Sequence, residues 1–188
     1  MSLSLMYFDL CKNICQEMKG PKGKSTVGYW ENEKKLDIRE ETKWAPIRVA
    51  IPLLFNFYHA VEIFMKGAIL CRENSVHLSH DFNKLFEGYK SAYPEENELA
   101  YVLGIYINPQ QGMICDWMNK NGLSTEDFYK YIRYPTDKKG LKQVKYWPLY
   151  LPTGRKGIPP DYKIMEEHAT KFIKNIGDLL VPARTQPI

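Results

Sequence analysis

Cysteine and histidine are both scarce in this chain, with four of each among 188 residues. Cys11, Cys15, Cys71 and Cys115 follow no disulfide-framework spacing, so reduced thiols are expected. Cys11 and Cys15, four apart on one helix face, read as core packing. His77, His80, Asp81 and Cys71 lie near one another in sequence, but no second ligand pair of matching spacing completes a zinc site. No metal or other cofactor is expected. Uninterrupted apolar runs of the roughly 18 to 20 residues that a membrane span needs are missing too, because Asn56, His59, Glu62 and Lys66 interrupt the best candidate. MSLSLMYFDLCKN, at the amino terminus, carries neither a basic leader nor a small-residue cleavage site. These absences predict a cytoplasmic protein with no membrane partner. There is no internal repeat. Neither sign of charge dominates: 26 Lys and Arg against 22 Asp and Glu leave +4, which permits an anionic partner without demanding one.

What the chain does have is apolar content. At 44% hydrophobic residues it can build a core, and the length predicts one domain over residues 1–188. Residues 4 to 18 alternate as an amphipathic helix that Gly20-Pro21 should stop. From about 46 to 73 a long helix is expected. Apolar residues at 54, 57, 58, 61, 64, 65, 68 and 69 keep helical spacing and cover nearly its whole circumference, so it should be buried, with Pro52 bending it. Further helices are expected over about 79 to 92, capped by Ser79 or Asp81, from Pro94 to about 107, after Pro109 through Met118, from Ser124 to near Arg133, and over about 161 to 181. Residues 19 to 28 read as a loop, and 29 to 44 as a short helix or irregular arm. Residues 134 to 160, with five prolines, three glycines and the run LKQVKYWPLYL, read as a loop or small-hairpin arm.

Several constellations carry chemistry. GPKGKST, residues 20 to 26, resembles a phosphate loop, but the first glycine position is Met18 and a helix rather than a strand precedes it, so a linker is favoured. On the long helix Arg48, His59, Glu62 and Lys66 share about one quadrant of the wheel, and groups so placed in an apolar helix need partners. Arg133, at a helix exit before Tyr134-Pro135 and Asp137, presents a cation that either serves a polar groove or pairs with Glu62 and the helix dipole. In the arm Tyr146, Trp147 and Tyr150 interleave with Lys142, Lys145, Arg155 and Lys156, which suits single-stranded nucleic acid or, alternatively, packing against a partner subunit.

The run YHAVEIFMKGAIL (58 to 70), then HDFNKL (80 to 85) and later IRYPTD (132 to 137) resembles the HEPN superfamily, the higher eukaryotes and prokaryotes nucleotide-binding domains, most strongly over residues 47 to 90. The resemblance implies an all-α HEPN-like bundle of five or six helices and a homodimer. It also implies an RNA- or nucleotide-directed role in prokaryotic stress, toxin-antitoxin or phage defence, with endoribonuclease activity as one form. A non-catalytic interaction module or an accessory subunit of a nucleotidyltransferase partner is the alternative. The helix-start histidine of the family maps to His80 rather than His77, giving His80 and Arg133 as catalytic candidates. His59, Glu62, Lys66, Asp81, Lys145 and Trp147 are the binding candidates. Ribonuclease members carry Arg-x4-6-His on a late helix. Here the spacing is met only by Arg72 and His77, at the junction after the long helix, and the next histidine after Arg133 is His168.

Overall fold

The computed structural model describes residues 1–20, 42–74, 79–95, 97–134, 144–146, 149 and 160–180. Seven α-helices account for most of them: α1 (Ser2–Lys19), α2 (Pro46–Glu73), α3 (Phe82–Ala92), α4 (Asn97–Ile107), α5 (Gly112–Asn121), α6 (Thr125–Arg133) and α7 (Pro160–Leu180). No strand occurs among the described residues, and the architecture is an all-α bundle. The GPKGKST linker beyond Gly20, the segment over 29 to 41 and most of the expected hairpin arm lie outside the described residues.

The boundaries follow local chemistry. α1 stops at Lys19, before Gly20-Pro21. Pro46 occupies the first turn of α2, where its missing N–H costs nothing. Pro52 lies inside the same helix, which runs on through it, and its carbonyl accepts from Asn56 Nδ2 at 2.8 Å. Asn74 closes α2 in the left-handed region at φ 52°. Asp81 rather than Ser79 caps α3, accepting from the backbone N–H of Asn83 (3.0 Å) and Lys84 (3.2 Å). Ser79 instead accepts from the Asp81 N–H. Ser124 and Asp127 form a reciprocal capping box at α6.

α2 is the central element. α1 runs against it, with Ser4 Oγ donating to the Ala60 carbonyl and Cys11 Sγ to that of Leu53. α3 and α6 also pack on α2, and α7 lies along α1. The centre is aromatic: Phe8 stacks on Phe172 at 4.5 Å between ring centroids, and both meet Phe57 edge-on. Buried tyrosine hydroxyls find carbonyls, Tyr58 donating to Tyr106 and Tyr93 to Ala68, as buried polar groups must. Cys11 and Cys15 are buried in this packing, which raises both thiols, Cys15 to about 12, and leaves them protonated.

By length and mean hydropathy alone α2 is long and apolar enough to cross a membrane, the polar interruptions notwithstanding. In the bundle 56% of that apolar window is buried within the chain's own fold.

Candidate functional site

The ionisable residues of α2 converge where α3 begins and α6 passes. His59, Glu62 and Lys66 follow one another at three- and four-residue steps, so one face of the helix carries all three. Glu62 is their centre, with a side chain only 5% exposed. Its Oε1 accepts from Lys66 Nζ at 2.7 Å and lies 2.7 Å from His80 Nδ1, while Oε2 accepts from the Tyr129 hydroxyl at 3.2 Å. His59 Nδ1 lies 3.4 Å from that hydroxyl and 4.0 Å from Glu62 Oε2. One turn further along α6 from Tyr129, Arg133 places its Cζ 5.4 Å from the Tyr129 ring centre and 5.5 Å from that of Tyr134.

The electrostatics settle which atoms carry protons. Burial pushes the Glu62 carboxyl upward, but hydrogen bonds from Lys66 and His80 outweigh it, and the net result lies below the ordinary carboxylate value. Glu62 is therefore ionised at neutral pH and can only accept. The His80 contact then requires Nδ1–H as donor, which puts the lone pair of a neutral imidazole on Nε2. Lys66 Nζ, 3.5 Å from the same Nδ1, is a neighbour sharing Oε1. Burial lowers the His59 imidazole; Glu62 opposes this, and Arg133, Lys66 and His80 reinforce it. Tyr129 is raised by burial and by Glu62, so its hydroxyl stays a donor.

Of the residues singled out in sequence, the structure therefore brings together His59, Glu62, Lys66 and His80. Arg133 makes its contact through Tyr129 and acts on His59 by its charge: it makes no ion pair with Glu62, and no contact with His80 is seen among the described residues. Asp81 spends Oδ1 on the α3 cap, a structural duty. Arg48 lies at the start of α2 with its Nε donating to Thr42 Oγ1, away from the cluster, because a helix wheel ignores the length of the axis. Arg72 pairs with Glu95 at 3.7 Å and lies over Tyr93. His77 and Trp147 lie outside the described residues. Lys145 is tied through its backbone to Asn121, and the Tyr146 hydroxyl donates to the Tyr131 carbonyl while its ring packs near Trp117. This part of the arm thus packs on its own chain. Tyr129 is the member that sequence reasoning missed, although its four-residue spacing from Arg133 puts the two on one helix face.

No group of three or more His, Cys, Asp or Glu side chains among the described residues is arranged to hold a metal ion. No protein-family model, curated protein or solved structure matches this chain.

Proposed function

We propose that the chain binds RNA on the face formed by α2, the start of α3 and the end of α6, and cleaves it there through its 2′-hydroxyl. The observation that carries this reading is the Glu62–His80 couple: one ring nitrogen is held at 2.7 Å by a buried carboxylate, while the side chain remains 77% exposed. An imidazole so oriented offers Nε2 to solvent as a base, the role in proton transfer that histidine fills most often. Nε2 takes the 2′-hydroxyl proton as the 2′-oxygen attacks phosphorus. The bond from phosphorus to the 5′-oxygen breaks, and the imidazolium returns the proton to that leaving oxygen. Lys66 supplies the adjacent positive charge for the phosphate oxygens. The resemblance over residues 47 to 90 supports the same substrate class, and a role in stress or defence rests on it alone.

A non-catalytic reading draws on a different fact, the saturation of Glu62 by Lys66, His80 and Tyr129, which a purely structural network would also show. One experiment separates the two. Single-stranded RNA is incubated with wild type and His80→Ala, with and without divalent metal. We expect cleavage by wild type and its loss by about a hundredfold or more in the variant, with the variant still folded by circular dichroism. Cleavage that survives the substitution removes His80 from the chemistry. Salt-dependent binding without cleavage leaves only the binding half of the reading, and absence of both overturns it.

A further inference from the structure

One helical turn from the acid–base cluster, α2 and α6 enclose a shallow groove of about 410 Å³ lined by Ile51, Pro52, Phe55, Ile132, Arg133 and Tyr134. Its size falls within the range of small-ligand sites, and its walls are apolar except for one cation. The flat rings around it are aligned. Phe55 is within 6° of parallel both to His59, 6.0 Å away, and to Tyr129, 6.4 Å away. At the rim Arg133 Cζ lies within 5.5 Å of the ring centres of both Tyr129 and Tyr134, and among the described residues no carboxylate pairs with it.

Resting on the RNA reading above, we infer that this groove takes a single unstacked nucleobase against Phe55, with Tyr134 closing over it and Arg133 on a flanking phosphate. A planar apolar wall beside an exposed guanidinium is the combination that receives a base and its phosphate together, and stacking tolerates any base because each has a π-face. Charge complementarity selects the occupant: a net +4 chain with Arg133 beside an apolar slot suits a polyanion carrying flat apolar groups. The position fits the chemistry as well. Phe55 precedes Glu62 by seven residues, about 10 Å along the helix axis, so a base held at Phe55 directs the adjoining sugar and phosphate toward His59, Glu62 and His80. A duplex keeps its bases stacked inside the helix and has none to offer. The site therefore selects single strands.

The test compares binding of a short single-stranded RNA, the same oligomer lacking its bases, and its duplex at one fixed salt concentration, by fluorescence anisotropy. Wild type should bind the intact strand about tenfold or more tightly than the abasic strand and more tightly than the duplex. Phe55→Leu, which keeps apolar volume without a stacking face, and Tyr134→Ala should each shrink that preference while leaving abasic binding in place. Circular dichroism verifies that both variants fold. Equal affinity for intact and abasic strands overturns the base site but leaves RNA binding standing. Preference for the duplex also overturns it, and no binding to any of the three brings down the RNA reading and this inference together.

Discussion

Glu62 joins Lys66 of its own helix, His80 just before α3 and Tyr129 of α6, so its removal tests the whole polar face. Deleting one partner of a fully buried ion pair costs about 3 to 5 kcal/mol. Here Lys66 is 24% and His80 77% exposed, and both can turn to water when the carboxylate is gone. Glu62→Ala should therefore destabilise by only about 2 kcal/mol, the scale of hydrogen bonds to a charged group, measured by chemical denaturation. The pH dependence has two parts. Glu62 titrates below its unfolded value of about 4.3, so its contribution is present above that pH and lost as pH falls through the folded value. His59 and His168 are also lowered, chiefly by burial, so their unfolded forms bind protons first and stability declines as pH drops below about 6.5. His168 pairs with the buried Tyr106 hydroxyl at 2.9 Å, while Lys171 and Glu167 act on it in opposite directions. The variant should flatten the first, most acidic part of the profile and keep the histidine-driven decline; a profile unchanged below pH 4.3 refutes the assignment.

At the scale of elements, the start of α3 matters because it fixes His80. The carboxylate of Asp81 holds two N–H groups of the first turn, and this cap sets the direction in which the chain enters the helix. Losing such a cap costs about 1 kcal/mol. Asp81→Ala should lower stability by that amount and, by loosening the residue before it, reduce cleavage without removing any group that contacts RNA. Asp81→Asn, which still caps, should restore both. An Asp81→Ala protein with wild-type stability would show that contacts of α3 with α2 and α4, rather than the cap, hold this junction.

For the molecule as a whole, the near all-round apolar surface of α2 leads to the expectation of a dimer, and the fold buries much of that surface within one chain while Ile47 and Leu70 stay exposed. α1, α3 and α6 cover α2. Apolar surface is also present on the outer face of α1, where Leu3, Met6 and Leu10 are exposed at three- and four-residue steps. We propose that two copies pair through this face. Light scattering at micromolar concentration should then give twice the 22.0 kDa chain mass, reduced to one chain by Met6→Glu with Leu10→Glu. A single-chain mass for wild type would remove the dimer.

Helix positions, the stop at Gly20-Pro21, the box at Ser124–Asp127 and the burial of Leu54, Phe57, Tyr58, Val61, Phe64, Met65, Ala68 and Ile69 were legible in the chain because each follows from a pattern of neighbours within a few residues. The same holds for the shared face of His59, Glu62 and Lys66. Which partners those groups found was decided by tertiary structure. His80 lies eighteen residues from Glu62 and Tyr129 sixty-seven, and helical periodicity carries no term for either separation. Arg133 illustrates the difference: its place at a helix exit is local, whereas its standing over Tyr129 instead of against Glu62 depends on the way α6 crosses α2. Packing directions are set by the sum of many weak side-chain contacts across helices, and that sum exists only in the folded chain.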